Sequence, residues 1–85
     1  MMINSKIKLP KHYRPVLIEW LDARSDSDWV EHKKIRFEPE LTVSVGMLVR
    51  ETDDSVSVSA IVNSSHVGDV VTIPKGMISR IIDLK

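Results

Sequence analysis

Residues 41–65 read Leu-Thr-Val-Ser-Val-Gly-Met-Leu-Val-Arg-Glu-Thr-Asp-Asp-Ser-Val-Ser-Val-Ser-Ala-Ile-Val-Asn-Ser-Ser, two runs that alternate apolar and small polar side chains around a polar tip. Leu41, Val43, Val45, Met47 and Val49 interleave with Thr42, Ser44, Gly46, Leu48 and Arg50. Val56, Val58, Ala60 and Val62 then interleave with Ser55, Ser57, Ser59, Ile61 and Asn63. Alternation of this kind belongs to strands with one buried face, because successive strand side chains point to opposite sides. The tip Glu51, Thr52, Asp53 and Asp54 supplies the turn, so the stretch predicts a long β-hairpin. Pairing Val49 with Val58 and Met47 with Ala60 keeps both apolar rows on one inner face, and a one-residue slip would turn one row to water. On this reading Leu48 and Ile61 are apolar exceptions on the outer face, covered by an arm, by the loop at 29–39 or by another subunit. Gly46 inside a strand marks a bulge, a bend or the close approach of another backbone.

The rest of the chain is organised around that hairpin. Residues 1–15 carry Lys6, Lys8, Lys11, His12 and Arg14, and Pro10 and Pro15 disfavour helix, so the segment reads as an extended basic arm ahead of a single domain at 16–85. Residues 16–22, Val-Leu-Ile-Glu-Trp-Leu-Asp, form an expected first strand with Val16, Ile18 and Trp20 on one face. The polar loop at 22–28 follows. Its aspartates Asp22, Asp26 and Asp28 lack the glycine and closing glutamate of an EF-hand. Residues 29–39 read as a loop with a short turn or strand. Further short strands are expected at 70–73 and 78–84, joined through Pro74, Lys75, Gly76 and Met77 by a single 3₁₀ turn.

No amphipathic segment is long enough to cover the apolar face of a flat sheet. Only four aromatics occur, Tyr13, Trp20, Trp29 and Phe37, so aliphatic residues must build the core. The expected fold is mainly β: a small five-stranded, strongly bent antiparallel sheet or barrel with a central long hairpin. The segments at 18–22, 44–49, 53–56 and 73–78 (Ile-Glu-Trp-Leu-Asp, Ser-Val-Gly-Met-Leu-Val, Asp-Asp-Ser-Val and Ile-Pro-Lys-Gly-Met-Ile) resemble small uncharacterised proteins of tailed bacteriophages. That family has no assigned activity, so the resemblance implies no site residue. More loosely, the last strand–Pro-Lys–turn–strand element resembles that of Sm-like small β-barrels, whose RNA-binding residues are not matched.

Chemistry is sparse. There is no cysteine, so disulfides, thiolate metal sites and cysteine nucleophiles are excluded, and a reducing, cytoplasmic setting is the default. No apolar run reaches the length of a membrane helix, and no cofactor is implied. His12, His32 and His66 show no metal-ligand spacing. Ser65, His66 and Asp69 share a loop but have no rigid scaffold or nucleophile-elbow motif around them, so no enzyme is expected.

Binding remains. Lys33, Lys34 and Arg36, joined by Arg14 and Lys11, are the candidate anion-binding residues, and Trp29 is a candidate stacking platform or subunit contact. Twelve basic and twelve acidic residues cancel, which weighs against a general nucleic-acid footprint. The sequence therefore supports a non-enzymatic accessory protein. It would act as a homo-oligomer on a nucleotide-like small molecule or a host protein, in the host cytoplasm if phage-encoded. RNA or DNA binding and a structural adaptor role in phage assembly are the alternatives.

Overall fold

A computed structural model of the 85-residue chain describes residues 7–23, 29–35 and 38–84. They form five strands, β1 (Arg14–Asp22), β2 (Glu40–Glu51), β3 (Ser55–Val62), β4 (Val67–Pro74) and β5 (Ile78–Asp83), with 3₁₀ turns at His32–Lys34 and Lys75–Met77. The strands make one antiparallel sheet in the order β4-β3-β2-β1-β5. The hairpin and the 3₁₀ turn linking the last two strands are present as the sequence predicts. Strand β1 begins two residues earlier than expected and β4 is longer, while the loop at 29–35 holds only a 3₁₀ turn.

The order of strands forces the sheet to curl. β4 and β5 are its two edges, and in a flat sheet four strand spacings would hold them about 19 Å apart. The three residues of Lys75–Met77 that join them advance only about 6 Å. The sheet must bend back on itself, yet no ladder joins β4 to β5, so it does not close into a barrel.

Strand β2 carries the bend. Residues 40–48 pair with β1, whereas β3 pairs only with residues 47–51. The ladder runs Met47↔Ser59, Leu48↔Val58, then Arg50↔Ser57, leaving Val49 as the extra residue of a β-bulge. The bulge corrects the hairpin register expected from alternation, in which Val49 met Val58 and Met47 met Ala60. A bulge also lets two successive side chains lie on the same side, and Leu48 and Val49 are both buried.

That one extra residue inverts the expected faces of the first arm. Val16 lies opposite Gly46, Ile18 opposite Ser44 and Trp20 opposite Thr42. Directly opposed residues of an antiparallel pair share a face, so the small side chains of β2 make room for the large ones of β1. Trp20 Nε1 donates a hydrogen bond to Ser44 Oγ at 3.0 Å, which satisfies the indole N–H of this half-buried ring. The core is Val16, Ile18, Leu48, Val56, Val58 and Ile73, with Trp20, Ile78 and Ile81 packed against it. Leu48, expected outside, is 1% exposed. Leu41, Val43 and Val45, expected inside, are 66%, 54% and 61% exposed. Trp20, Val56 and Val58 lie inward as expected.

Ser59, expected as a solvated hydroxyl, is buried. Its Oγ lies 2.6 Å from the Gly68 carbonyl oxygen and 2.7 Å from that of Ile61, and accepts from Gly68 N–H at 3.2 Å. The hydroxyl thus satisfies backbone groups beside Asp69, whose φ of 51° breaks the regular course of β4.

Candidate functional site

The side chains of interest fall at the two ends of strand β1. At its start, Arg14 Nε donates to Asp83 Oδ1 at 2.7 Å and Leu84 N–H donates to the Pro15 carbonyl at 2.9 Å, which holds the end of β5 against the start of β1. His12 precedes the strand in a turn closed by Tyr13 N–H to the Pro10 carbonyl. The His12 ring donates from Nε2 to the Val49 carbonyl at 2.9 Å. A bulge interrupts the ladder at Val49, and the histidine provides this carbonyl with a donor.

Lys75 completes this end. Its Nζ lies 2.9 Å from Glu51 Oε2, and its backbone N–H donates to the Asp54 carbonyl at 2.8 Å. The hairpin tip and the 3₁₀ turn after β4 are tied together by one residue. The hydrogen bond from Lys75, followed by its charge, holds the Glu51 carboxyl below the ordinary glutamate value of 4.5. On β1 and β5, Arg80 donates to both oxygens of Glu19 at 2.9 Å, and this bidentate bond lowers the Glu19 carboxyl in the same way.

A carboxyl depressed in the folded state contributes stability above its unfolded value, and that contribution is lost as pH falls through the folded value. Chemical-denaturation midpoints of the native chain are therefore expected to fall on acidification below about pH 4.5. The double variant Glu19→Gln/Glu51→Gln should show a shallower acid limb. Both pairs reach solvent, with Glu19 the half-buried member, so the difference is small and needs denaturation curves at several pH values.

The loop leaving the other end of β1 holds the remaining candidates. Trp29 is fully exposed, and Val30 and Ile35 are exposed beside it in sequence. Lys33 and Lys34 sit in the 3₁₀ turn His32–Lys34 and both are exposed. Lys34 Nζ lies 3.9 Å from Glu31 Oε2, while Lys33 makes no ion pair among the described residues. Arg36 lies outside the described residues, as do Asp26 and Asp28. The structure thus keeps Trp29, Lys33 and Lys34 on one exposed loop. It assigns Arg14 to the start of β1, where Asp83 already answers its charge.

The Ser65–His66 pair is a turn feature. Asn63 Oδ1 accepts from the backbone N–H groups of Ser65 and His66 at 2.9 and 2.7 Å, an Asx turn that sets the two side chains beside each other. Ser65 Oγ and His66 Nδ1 are 2.7 Å apart on the exposed surface, and neither bonds Asp69. Among the described residues no group of three or more histidine, aspartate or glutamate side chains could hold a metal ion. No helix there is long and apolar enough to cross a membrane.

Sequence reasoning misses two features: the tie between Lys75 and Glu51, and the outward aliphatic row of β2. The first joins residues far apart in the chain, and nothing local marks it. The second is concealed by the alternation itself, which is the same whichever face is buried. Compared with protein-family models, with curated proteins and with solved structures, the chain finds no match.

Proposed function

We propose that this chain is a non-enzymatic binding protein whose exposed loop at 29–35 engages a nucleotide-like anionic ligand. The observation that carries the reading is the fully exposed Trp29 on the same short loop as exposed Lys33 and Lys34. A large aromatic left wholly in water gains the most from stacking against a planar ring. Neighbouring ammonium groups supply charge-assisted hydrogen bonds to phosphate oxygens. The resemblance to small phage proteins suits a role in capturing a host signal or blocking a host protein in the host cytoplasm, with the chain acting as a homo-oligomer.

The aliphatic row Leu41, Val43 and Val45 supports a second reading, in which the chain is an adaptor that docks on another protein. Nucleic-acid binding has less support, because acidic and basic residues balance.

Tryptophan fluorescence tests the first reading directly, using adenosine and guanosine mono- and triphosphates as probes. Quenching of the Trp29 signal is expected, with Trp29→Leu retaining only the Trp20 background. The double variant Lys33→Gln/Lys34→Gln should weaken binding by roughly tenfold or more, the loss of one to two charge-assisted bonds. Quenching that is unchanged in the lysine variant, or absent with every nucleotide, removes the loop as the site.

A further inference from the structure

We infer that residues 40–46 of β2 form an antiparallel edge-to-edge pair with the same residues of a second copy of this chain. This pairing rests on the proposed function for the oligomeric state alone and needs no ligand. Its basis is an open strand edge. β1 pairs with residues 40–48 on one side of β2, but β3 pairs only with residues 47–51 on the other. Beyond Ser59, β3 continues its ladder with β4 alone. Among the described residues, therefore, no strand is laddered to the second side of residues 40–46, and β3 comes close only at its Gly46 end.

An open edge is a ready template for another strand, and natural sheets guard such edges with short length, charge, proline or a kink. The outer edges of this sheet are guarded in these ways. β4 contains the left-handed Asp69 and ends in Pro74, while β5 is only six residues long and carries Arg80 and Asp83. Residues 40–46, Glu-Leu-Thr-Val-Ser-Val-Gly, contain no lysine, arginine or internal proline. They carry instead the most exposed aliphatic row of the molecule, Leu41, Val43 and Val45. An unguarded edge of this kind matches a strand that gains a neighbour in its working state, and the neighbour would set a second apolar row beside Leu41, Val43 and Val45.

The occupant that fits is a second copy, because the segment is complementary to itself. A two-fold axis at Val43, the midpoint of the open span, places Val43 opposite its mate and Leu41 opposite Val45 of the other copy. It also places Thr42 opposite Ser44, a favourable hydroxyl pair, and Glu40 opposite Gly46. No like charges meet across the pair, and the chain's zero net charge removes long-range repulsion between copies. An edge-to-edge pair of seven residues a side is small beside the roughly 1,000 Å² of a typical specific interface, so the association is concentration-dependent. The resulting sheet would be continuous through both molecules.

The chain's lack of cysteine provides a clean test. Directly opposed residues of an antiparallel pair lie about 4.5–5.5 Å apart at Cα, within disulfide reach. Val43→Cys is expected to form a covalent dimer under mild oxidation at least roughly tenfold faster than Asp53→Cys at the hairpin tip, since pre-association replaces random encounter. Sedimentation of the native chain should show a concentration-dependent dimer. Val43→Lys should weaken it by roughly tenfold or more, because like charges would face each other. Mixing Val43→Lys with Val43→Glu should restore association, which also shows that both variants are folded. A native chain that remains monomeric across the concentration series overturns both the dimer and the oligomeric reading. Association in which Val43→Cys links no faster than Asp53→Cys, or which Val43→Lys leaves intact, overturns this interface and spares the oligomeric reading.

Discussion

Gly46→Ala should destabilise the chain by about 2–3 kcal/mol, although the change adds a single methyl group. A Cβ at this position would stand 2.7 Å from the Ser59 carbonyl oxygen, 2.7 Å from Val58 Cγ1 and 3.3 Å from the Ser59 carbonyl carbon. Neither neighbour can yield cheaply. Val58 is buried in the core, and the carbonyl belongs to the backbone of β3. Gly46 lies where β2 passes from its pairing with β1 alone to its pairing with β3, so the close approach is part of the bend. For a small domain the loss amounts to a large fraction of the total stability. Gly76→Ala is the matched control, because a methyl group there would meet nothing within 4 Å. It should change stability by no more than about 0.5 kcal/mol. Urea denaturation of the two variants against the native chain measures the contrast, and equal stabilities would mean that β2 and β3 do not approach at Gly46.

A second contrast tests which face of β2 is inside. Leu48→Ala is expected to cost about 2–5 kcal/mol, the range for truncating a fully buried leucine and leaving a cavity. Val45→Ala, on the opposite face, should cost no more than about 0.5 kcal/mol when measured at low protein concentration, where association does not contribute. The alternating pattern read alone gives the reverse order, because it puts Val45 in the core and Leu48 outside. Denaturation midpoints of the two variants decide between the registers. If Val45→Ala were the more damaging change, the bulge at Val49 and the core built on Leu48 would both fall.

The fold class is legible in the chain. Alternation at 41–65 specifies a hairpin, the polar tip specifies its turn, and the absence of an amphipathic helix leaves a sheet that must curl over its own apolar face. The small side chains Thr42, Ser44 and Gly46, however, read as solvent-facing from alternation alone, whereas they line the core face opposite β1. A period of two states only that two faces differ, and both faces here have reason to be apolar or small. The candidate loop is legible as a concentration of Trp29, Lys33, Lys34 and Arg36, since charge and aromatic content can be seen without coordinates. That Arg14 stands apart from it with Asp83 cannot be seen, because the partner is 69 residues away.

By itself, then, the order of residues determined an all-β chain with a central hairpin, a 3₁₀ link between its last two strands, and no cysteine chemistry. Tertiary structure alone decided which row of β2 is buried. The large side chains of Val16, Ile18 and Trp20 on β1 occupy the inner volume opposite Gly46, Ser44 and Thr42, and the extra residue at Val49 then brings Leu48 and Val49 inward together. Burial depends on what stands across the ladder, and a strand's own sequence does not contain its neighbour.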